Sequence, residues 1–362
     1  MPDISAIRSD FPILARQVYG RPLVYLDNAA TSQLPQAVLD ALCRHYAQDN
    51  ANIHRGIHAL SEASTRAYEA ARERVRRFLG AAAVEEIIFT SGATASVNLA
   101  ALALTPLVGE GDEIVVTQLE HHSNFVPWQM LCARTGAVLK VVPARDGDVT
   151  AGDVAACFSS RTRLAAVTQV SNLTGAVLPL REIIAAAHAR DIPVLVDGAQ
   201  GVRSTQTDMQ ALGCDFYCFS GHKTLAPTGT GALYMSAVWQ KRLAPVFFGG
   251  GMVDRVRADK TTFAPAPHCW EAGTPNYAGA IALAAALDYI EEKGRGELER
   301  RERALLAYTV DKLSAVEGLR ILGTPARRAG VVGFTLGGVH PYDLASVLGK
   351  FGVAGRSGSP CA

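Results

Sequence analysis

Apolar positions along this chain recur with two periods, and the two alternate from near the start to near the end. Short apolar runs bounded by glycine, proline or polar clusters read as strands, at 23–26, 85–89, 113–117, 138–142, 163–170, 192–196, 216–219 and 231–234. Between them lie stretches with helical spacing, such as Val38, Leu39, Leu42 and Tyr46 after Pro35. Residues 3–15 predict a short helix broken by Pro12. Ser61 is expected to cap a long amphipathic helix with Glu62 and Glu69 early and Arg72 to Arg77 late, an order that suits the helix dipole. Further helices are predicted over 95–104, 179–190, 278–292 and 297–316. The run at 192–196 is apolar throughout and fits a strand buried on both faces of a parallel sheet. Strand and helix in alternation mean a mostly parallel sheet with right-handed crossovers. Weaker strands at 319–322 and 331–336 follow the charged helix and read as a second, smaller unit. Residues 245–277 lose all periodicity and gather Gly249 to Gly251, Pro265, Pro267 and Pro275. A loop of that length inside a compact domain is usually functional.

Composition narrows the class. The chain has 362 residues, enough for one large domain and a small one. Its net charge of +1, without long runs of like charge, offers no surface for nucleic acid or an anionic membrane. The most basic stretch, Arg72 to Arg77, is expected to be a solvated helix face. No apolar stretch reaches the roughly 18 residues of a membrane span, and no secretory pattern opens the chain. Seven cysteines occur singly, without CxxC pairs, which points to a reducing, cytoplasmic setting and away from disulfides or structural zinc.

The candidate chemistry collects where apolar runs end. After the run at 216–219 come Ser220, Gly221, His222 and Lys223. A lysine at a strand end beside small polar neighbours suits one that forms a Schiff base, because burial and nearby cations depress its pKa and free the amine. The run at 192–196 ends in Asp197-Gly-Ala-Gln200, and ligands of open α/β sheets bind at that carboxyl edge. A lysine on one strand-end loop and a carboxylate on the next is the arrangement pyridoxal phosphate (PLP) requires: the lysine holds the aldehyde and the acid keeps the ring nitrogen protonated. Thr90-Ser-Gly-Ala-Thr94 opens a helix with glycine and hydroxyls, as an anion cup does, with Ala93 and Thr94 as donors to the phosphate.

Ser220-Gly-His-Lys223, Asp197-Gly-Ala-Gln200, Glu120-His-His-Ser-Asn124, His54-Arg-Gly-Ile-His58 and Glu271-Ala-Gly-Thr-Pro-Asn276 together resemble the cysteine desulfurases. Within the class V aminotransferases the resemblance is to the branch that feeds sulfur to iron–sulfur assembly, to which selenocysteine lyases also belong. It runs from about Phe11 to Ala362. It implies the fold of PLP-dependent transferases of type I: a large domain with a mostly parallel seven-stranded sheet between helices, plus a smaller α+β domain. The boundaries expected are 1–21 as an N-terminal segment packing with the small domain, 22–292 as the PLP-binding domain and 293–362 as the small domain.

Residue by residue, the resemblance implies that Ser220 and His222 join Ala93 and Thr94 on the phosphate and that His122 lies over the pyridine ring and helps move protons. Asn172 and Gln200 would face the cofactor's 3-oxygen, with Asn172 also facing the substrate carboxylate. Ala29 and Ala30 would line the substrate pocket. Thr274 would reach the phosphate of a second copy in a homodimer. The histidines at 54 and 58 would sit in a loop at the mouth of the site; Gly56 between them speaks against a helical zinc pair, and no metal is expected. Cys361 matches the family's mobile thiol, with Arg356 nearby to favour the thiolate.

The implied reaction converts L-cysteine to L-alanine and leaves a persulfide on Cys361 for a sulfur-acceptor protein. Two departures stand out: Ser359 and Pro360 precede Cys361 where histidines are frequent, and the sequence stops at Ala362. Relatives continue further and supply an arginine for the substrate carboxylate there, so the chain is expected to be either a fragment or a truncated form in which Arg356 and Asn172 anchor substrate unaided, with activity weakened or lost. Rival readings are selenocysteine lyase or another class V lyase or transaminase, and an inactive PLP-binding scaffold.

Overall fold

The computed structural model describes residues 4–205 and 207–358; Cys361, with the residues flanking it from 359 to the end, lies outside them. Seven strands form the central sheet: β1 (Ile87–Thr90), β2 (Glu113–Thr117), β3 (Val138–Val142), β4 (Thr162–Thr168), β5 (Val194–Asp197), β6 (Phe216–Ser220) and β7 (Gly231–Met235). Their spatial order is β1-β7-β6-β5-β4-β2-β3, and only β7 runs against its neighbours. This is the mostly parallel seven-stranded sheet expected.

Its two faces are covered by different helices: α1 (Gln36–Arg44), α2 (Ala59–Leu79), α3 (Ala93–Leu104), α4 (Val126–Thr135), α5 (Leu180–His188) and α6 (Tyr277–Glu292). Alternate residues of each strand enter opposite cores, as a period of two requires. Ile87, Val115, Val194 and Val196 face Val75, Leu79, Ile183, Leu283 and Leu287 of α2, α5 and α6. Ile88, Ile114, Val116 and Leu195 face Val97, Leu104, Trp128 and Leu131 of α3 and α4. Strands covered on both faces show no polar alternation, which is why their sequences read as plain apolar runs.

After α6 the chain forms α7 (Arg295–Ser314), the antiparallel pair β8 (Leu319–Ile321) and β9 (Phe334–Leu336), and α8 (Pro341–Lys350). Val353–Ala354 then pairs in parallel with Val24–Tyr25, bringing the two ends of the described chain together. Further upstream, Asp10 bonds Tyr289 of α6 at 2.8 Å and Lys293 at 3.0 Å. Among the described residues no helix is long and apolar enough to cross a membrane.

The structure corrects four local expectations. Ser61 does not cap α2. His58 does, its ring Nδ1 accepting the Ser61 N–H at 3.3 Å. The helix predicted to begin at 95 begins at Ala93. Within the stretch from 245 to 277, Val253–Val256 and Thr261–Phe263 form an antiparallel hairpin. Its strands are largely exposed, so no burial pattern marks them. The basic stretch on α2 is not uniformly solvated: Arg72 is fully buried and ion-pairs with Glu69 and Glu271.

At the other end of the sheet, buried Glu113 at the start of β2 accepts from Ser159 Oγ at 2.6 Å and pairs with Lys140 and Arg161. Burial opposes ionisation, but the Ser159 and Lys140 contacts outweigh it and bring the carboxyl down to about 2. A carboxyl depressed in the folded state stabilises above its unfolded pKa, and that contribution fades as pH falls toward the folded value. Glu113→Gln is therefore expected to destabilise the fold by about 1–3 kcal/mol at neutral pH. The deficit should shrink between about pH 4.5 and 2. Urea unfolding across that range checks it; a deficit independent of pH would contradict the assignment.

Candidate active site

The carboxyl ends of β5 and β6 place the two central residues side by side. Parallel pairing sets Asp197 opposite Cys218, and β6 continues to Ser220 before a tight turn, Gly221–Lys223, carries the lysine across the sheet edge. Gly221 is required there, since a Cβ would sit 2.2 Å from Thr230 Oγ1. Asp197 is buried, and its Oδ1 accepts the Ala199 N–H at 2.9 Å. Burial raises its pKa, while that N–H and the Lys223 charge oppose the rise. The same amine acts on both neighbouring imidazoles: burial first, then Lys223, lowers His222 and takes His121 down to about 4. Lys223 thus stands among Asp197, His121 and His222.

The turn after β1 supplies the anion cup. Gly92 has φ of +141°, a backbone that favours glycine. It lets Ser220 Oγ approach closely enough to accept the Ala93 N–H at 2.8 Å. That bond brings Ser220 and the start of α3 together. The Thr94 side chain takes a different partner, lying 2.6 Å from Ser123 Oγ, which also bonds His121 Nδ1 at 2.9 Å. That chain of contacts fastens the loop carrying His122 to the start of α3. His122 itself is exposed.

The turn after Tyr25, expected from the sequence to form the substrate side, packs against the loops that follow β5 and β6. Gln200 Nε2 donates to Ala29 O at 2.7 Å, joining two predicted residues. Ala30 is half-buried in the same turn. Buried Ser32, absent from the sequence reading, locks this turn to the lysine loop. Its N–H and hydroxyl donate to His222 O at 2.7 and 2.9 Å, and its oxygen accepts the Leu225 N–H at 2.8 Å. Arg356 meets the same turn through Asp27, with Nε and Nη2 each 3.1 Å from one carboxylate oxygen. Asn172 follows β4 at the same edge, partly exposed. Thr274 is exposed.

Glu120 was visible in the sequence only as part of a motif. It is buried, and its oxygens accept from Thr117 Oγ1 at 2.7 Å, the Thr168 N–H at 2.9 Å and Asn124 Nδ2 at 2.6 Å. Desolvation pushes its pKa up to about 8 against those donors, with the Asp197 charge adding to the rise. The side chain pins the His121–His122 loop to β2 and β4. Two of those donors flank it in the chain and the third, the Thr168 N–H, comes from β4, 48 residues on.

The donor set fits PLP: an acid at the sheet edge, an amine among polarised rings and an N–H cup lined by hydroxyls. Glu120→Ala would strand the Asn124 amide and Thr168 N–H in the core at about 1–3 kcal/mol each. The variant should unfold at lower urea and bind cofactor more weakly; unchanged cofactor affinity would show that the loop does not depend on Glu120.

A model of the aminotransferase class-V family matches residues 24–362. A probable cysteine desulfurase of Halalkalibacterium halodurans is 46% identical over 98% of this chain and 88% of its own. Among solved structures, the apo cysteine desulfurase of Thermococcus onnurineus NA1 superposes with a TM-score of 0.94 at 37% identity, covering all of this chain and 89% of that one. A C-DES mutant with glycine covalently linked to its PLP cofactor gives a TM-score of 0.86 at 25% identity, covering 98% and 92%. On the strength of a match over nearly its whole length, the chain belongs to the aminotransferase class-V family, on its cysteine desulfurase branch.

Proposed function

We propose that this chain is a PLP-dependent cysteine desulfurase that converts L-cysteine to L-alanine and keeps the sulfur as a persulfide on Cys361. The observation carrying this reading is the buried carboxylate of Asp197 within electrostatic reach of Lys223 at the carboxyl edge of a parallel sheet. When bound, PLP supplies an electron sink that eases loss of the substrate's α-proton. In this reading the Ala93 and Thr94 N–H groups, Ser220 and His222 hold the phosphate. Asp197 takes the ring nitrogen, His122 covers the ring, and Asn172 and Gln200 approach the 3-oxygen. Lys223 anchors the cofactor and then accepts the proton from the substrate Cα. The thiolate of Cys361 attacks the substrate Sγ: an S–S bond forms, the substrate Cβ–S bond breaks, and reprotonation at carbon gives alanine.

Ala29 and Ala30 keep the substrate side narrow, and Arg356 is the cation for the substrate carboxylate. Because Asp27 already holds that guanidinium in a bidentate pair, substrate must share it or displace it. A second copy completes the site in the proposed homodimer by bringing its Thr274 to the phosphate. Exposed Val126 and Met130, beside Thr94 and His122, support such an interface. A sulfur-acceptor protein of iron–sulfur assembly, in the cytoplasm, is the proposed destination of the persulfide.

Alanine release and persulfide content, measured on the cofactor-loaded protein, test the assignment. Lys223→Ala should lose turnover by about 100-fold or more. Cys361→Ala should retain cofactor and form no persulfide; full cysteine turnover in that variant would sink the reading. Asp27→Ala should change KM for cysteine more than kcat, because it alters only what Arg356 binds.

A further inference from the structure

Beside the loop expected at the mouth of the site, three ligating side chains from distant parts of the chain converge. His54 comes from the loop before α2, Glu69 from α2, and His268 from the turn His268–Trp270. One potential ligand atom from each lies within 4.8 Å of the others. His54 Nε2 is 3.0 Å from Glu69 Oε1, and the rings of His54 and His268 are 5.0 Å apart. We infer that this cluster binds a divalent transition-metal ion, with Zn²⁺ as the fitting case, through two imidazoles and one carboxylate oxygen.

Four features of the surroundings carry the inference beyond mere proximity. First, the donor set is that of zinc, cobalt or iron rather than of calcium or magnesium, which prefer oxygen ligands throughout. Second, the carboxylate is already oriented. Glu69 Oε2 accepts from Arg72 Nε at 3.1 Å, which leaves Oε1 turned toward the two imidazoles. A ligating carboxylate held by an outer partner is what a competent site needs. Third, that partner is fixed in its turn. Arg72 is fully buried and donates to Glu271 at 2.5 and 2.9 Å and to Ile87 O at 2.9 Å. One guanidinium between two carboxylates leaves the group with excess negative charge, which a dication offsets. Fourth, the cluster is reachable: His54 is exposed, while Glu69 and His268 are half-buried.

Ligand atoms around tetrahedral zinc stand about 3.3 Å apart for bonds of about 2.0–2.1 Å. The His54–Glu69 pair, at 3.0 Å, need only open by about 0.3 Å and His268 close in by at most about 1.5 Å from the 4.8 Å limit, with solvent in the fourth position. The bound ion would staple the loop at 54–58 to α2 and to the turn just before Glu271. The segment from Glu271 to Asn276, which the proposed function sends to a second copy, leaves from that point. The inference does not depend on that function.

Chelator-treated, cofactor-loaded protein titrated with Co²⁺ and then with competing Zn²⁺ tests it. Visible ligand-field absorption at one cobalt per chain, displaced by zinc and accompanied by a raised thermal midpoint, is the expected result. His268→Ala and His54→Gln should each weaken cobalt binding by at least about 10–100-fold. Both variants should keep the metal-free unfolding midpoint of the parent; if one does not, the other decides. Absence of binding in several-fold molar excess, or affinity unchanged in both variants, would overturn the inference. So would binding that survives both but disappears when the thiols are alkylated.

Discussion

A carboxylate taken out of water at the end of a buried strand sets the terms for everything around it. β5 is covered on both faces, and Asp197 is its last residue. Desolvation disfavours its charge, and an isolated buried ion is costly unless something compensates. The Ala199 N–H and the Lys223 charge do so in part. The remainder is an affinity for a cation at that spot, which is why the proposed function assigns Asp197 to a protonated ring nitrogen. Strand register then becomes functional. With Asp197 fixed opposite Cys218, the turn after β6 has to bring the lysine back across the sheet edge, and Gly221 makes that turn tight enough.

The loops around this pair are held by polar side chains alongside a few apolar anchors such as Leu119, Ala199 and Ala226. Ser32 ties the turn at 27–32 to the backbone of His222 and Leu225. Ser220 ties β6 to the start of α3. Thr94, Ser123 and His121 form a line of contacts between two loops, and Glu120 pins one of them to two strands. Buried backbone groups must find partners, and here those partners are side chains that each bridge only two or three neighbouring groups. Such bonds fix position without closing the edge, leaving room for a substrate to enter.

How much of this could be read in the sequence follows from the range of each interaction. The sheet was legible because strands buried on both faces produce apolar runs with sharp ends. The residues at those ends, Asp197, Gln200, Ser220 and Lys223, stood out where apolar gave way to polar. Their assembly needed no long-range guess beyond parallel order. His58 as the cap of α2 was not legible: Ser61 is the commoner capping type, and only the chain's path before Ala59 excludes it. The hairpin at 253–263 left no mark because it buries almost nothing. Glu120 and Ser32 are ordinary residues whose roles are set by atoms from other segments.

Arg72 is the sharpest case, since its place in the sequence suggests solvent while in space it is enclosed by the rings of Tyr68 and Phe89 and the carboxylates of Glu69 and Glu271. Among arginines and glutamates on one helix it reads as solvated, yet its partner Glu271 lies 199 positions away. A buried ion pair adds little net stability against its desolvation, so holding α2 on the sheet is a poor account of it. What the pair does fix is geometry. Glu271 accepts from Arg72, from Tyr68 at 2.8 Å and from the Phe89 N–H at 2.6 Å. An aperiodic stretch of chain is thereby fastened at one point to α2 and to β1, the strand that leads into the anion cup. The path of the residues after Glu271 then depends on a charge contact that hydrophobic packing could not replace without losing its direction.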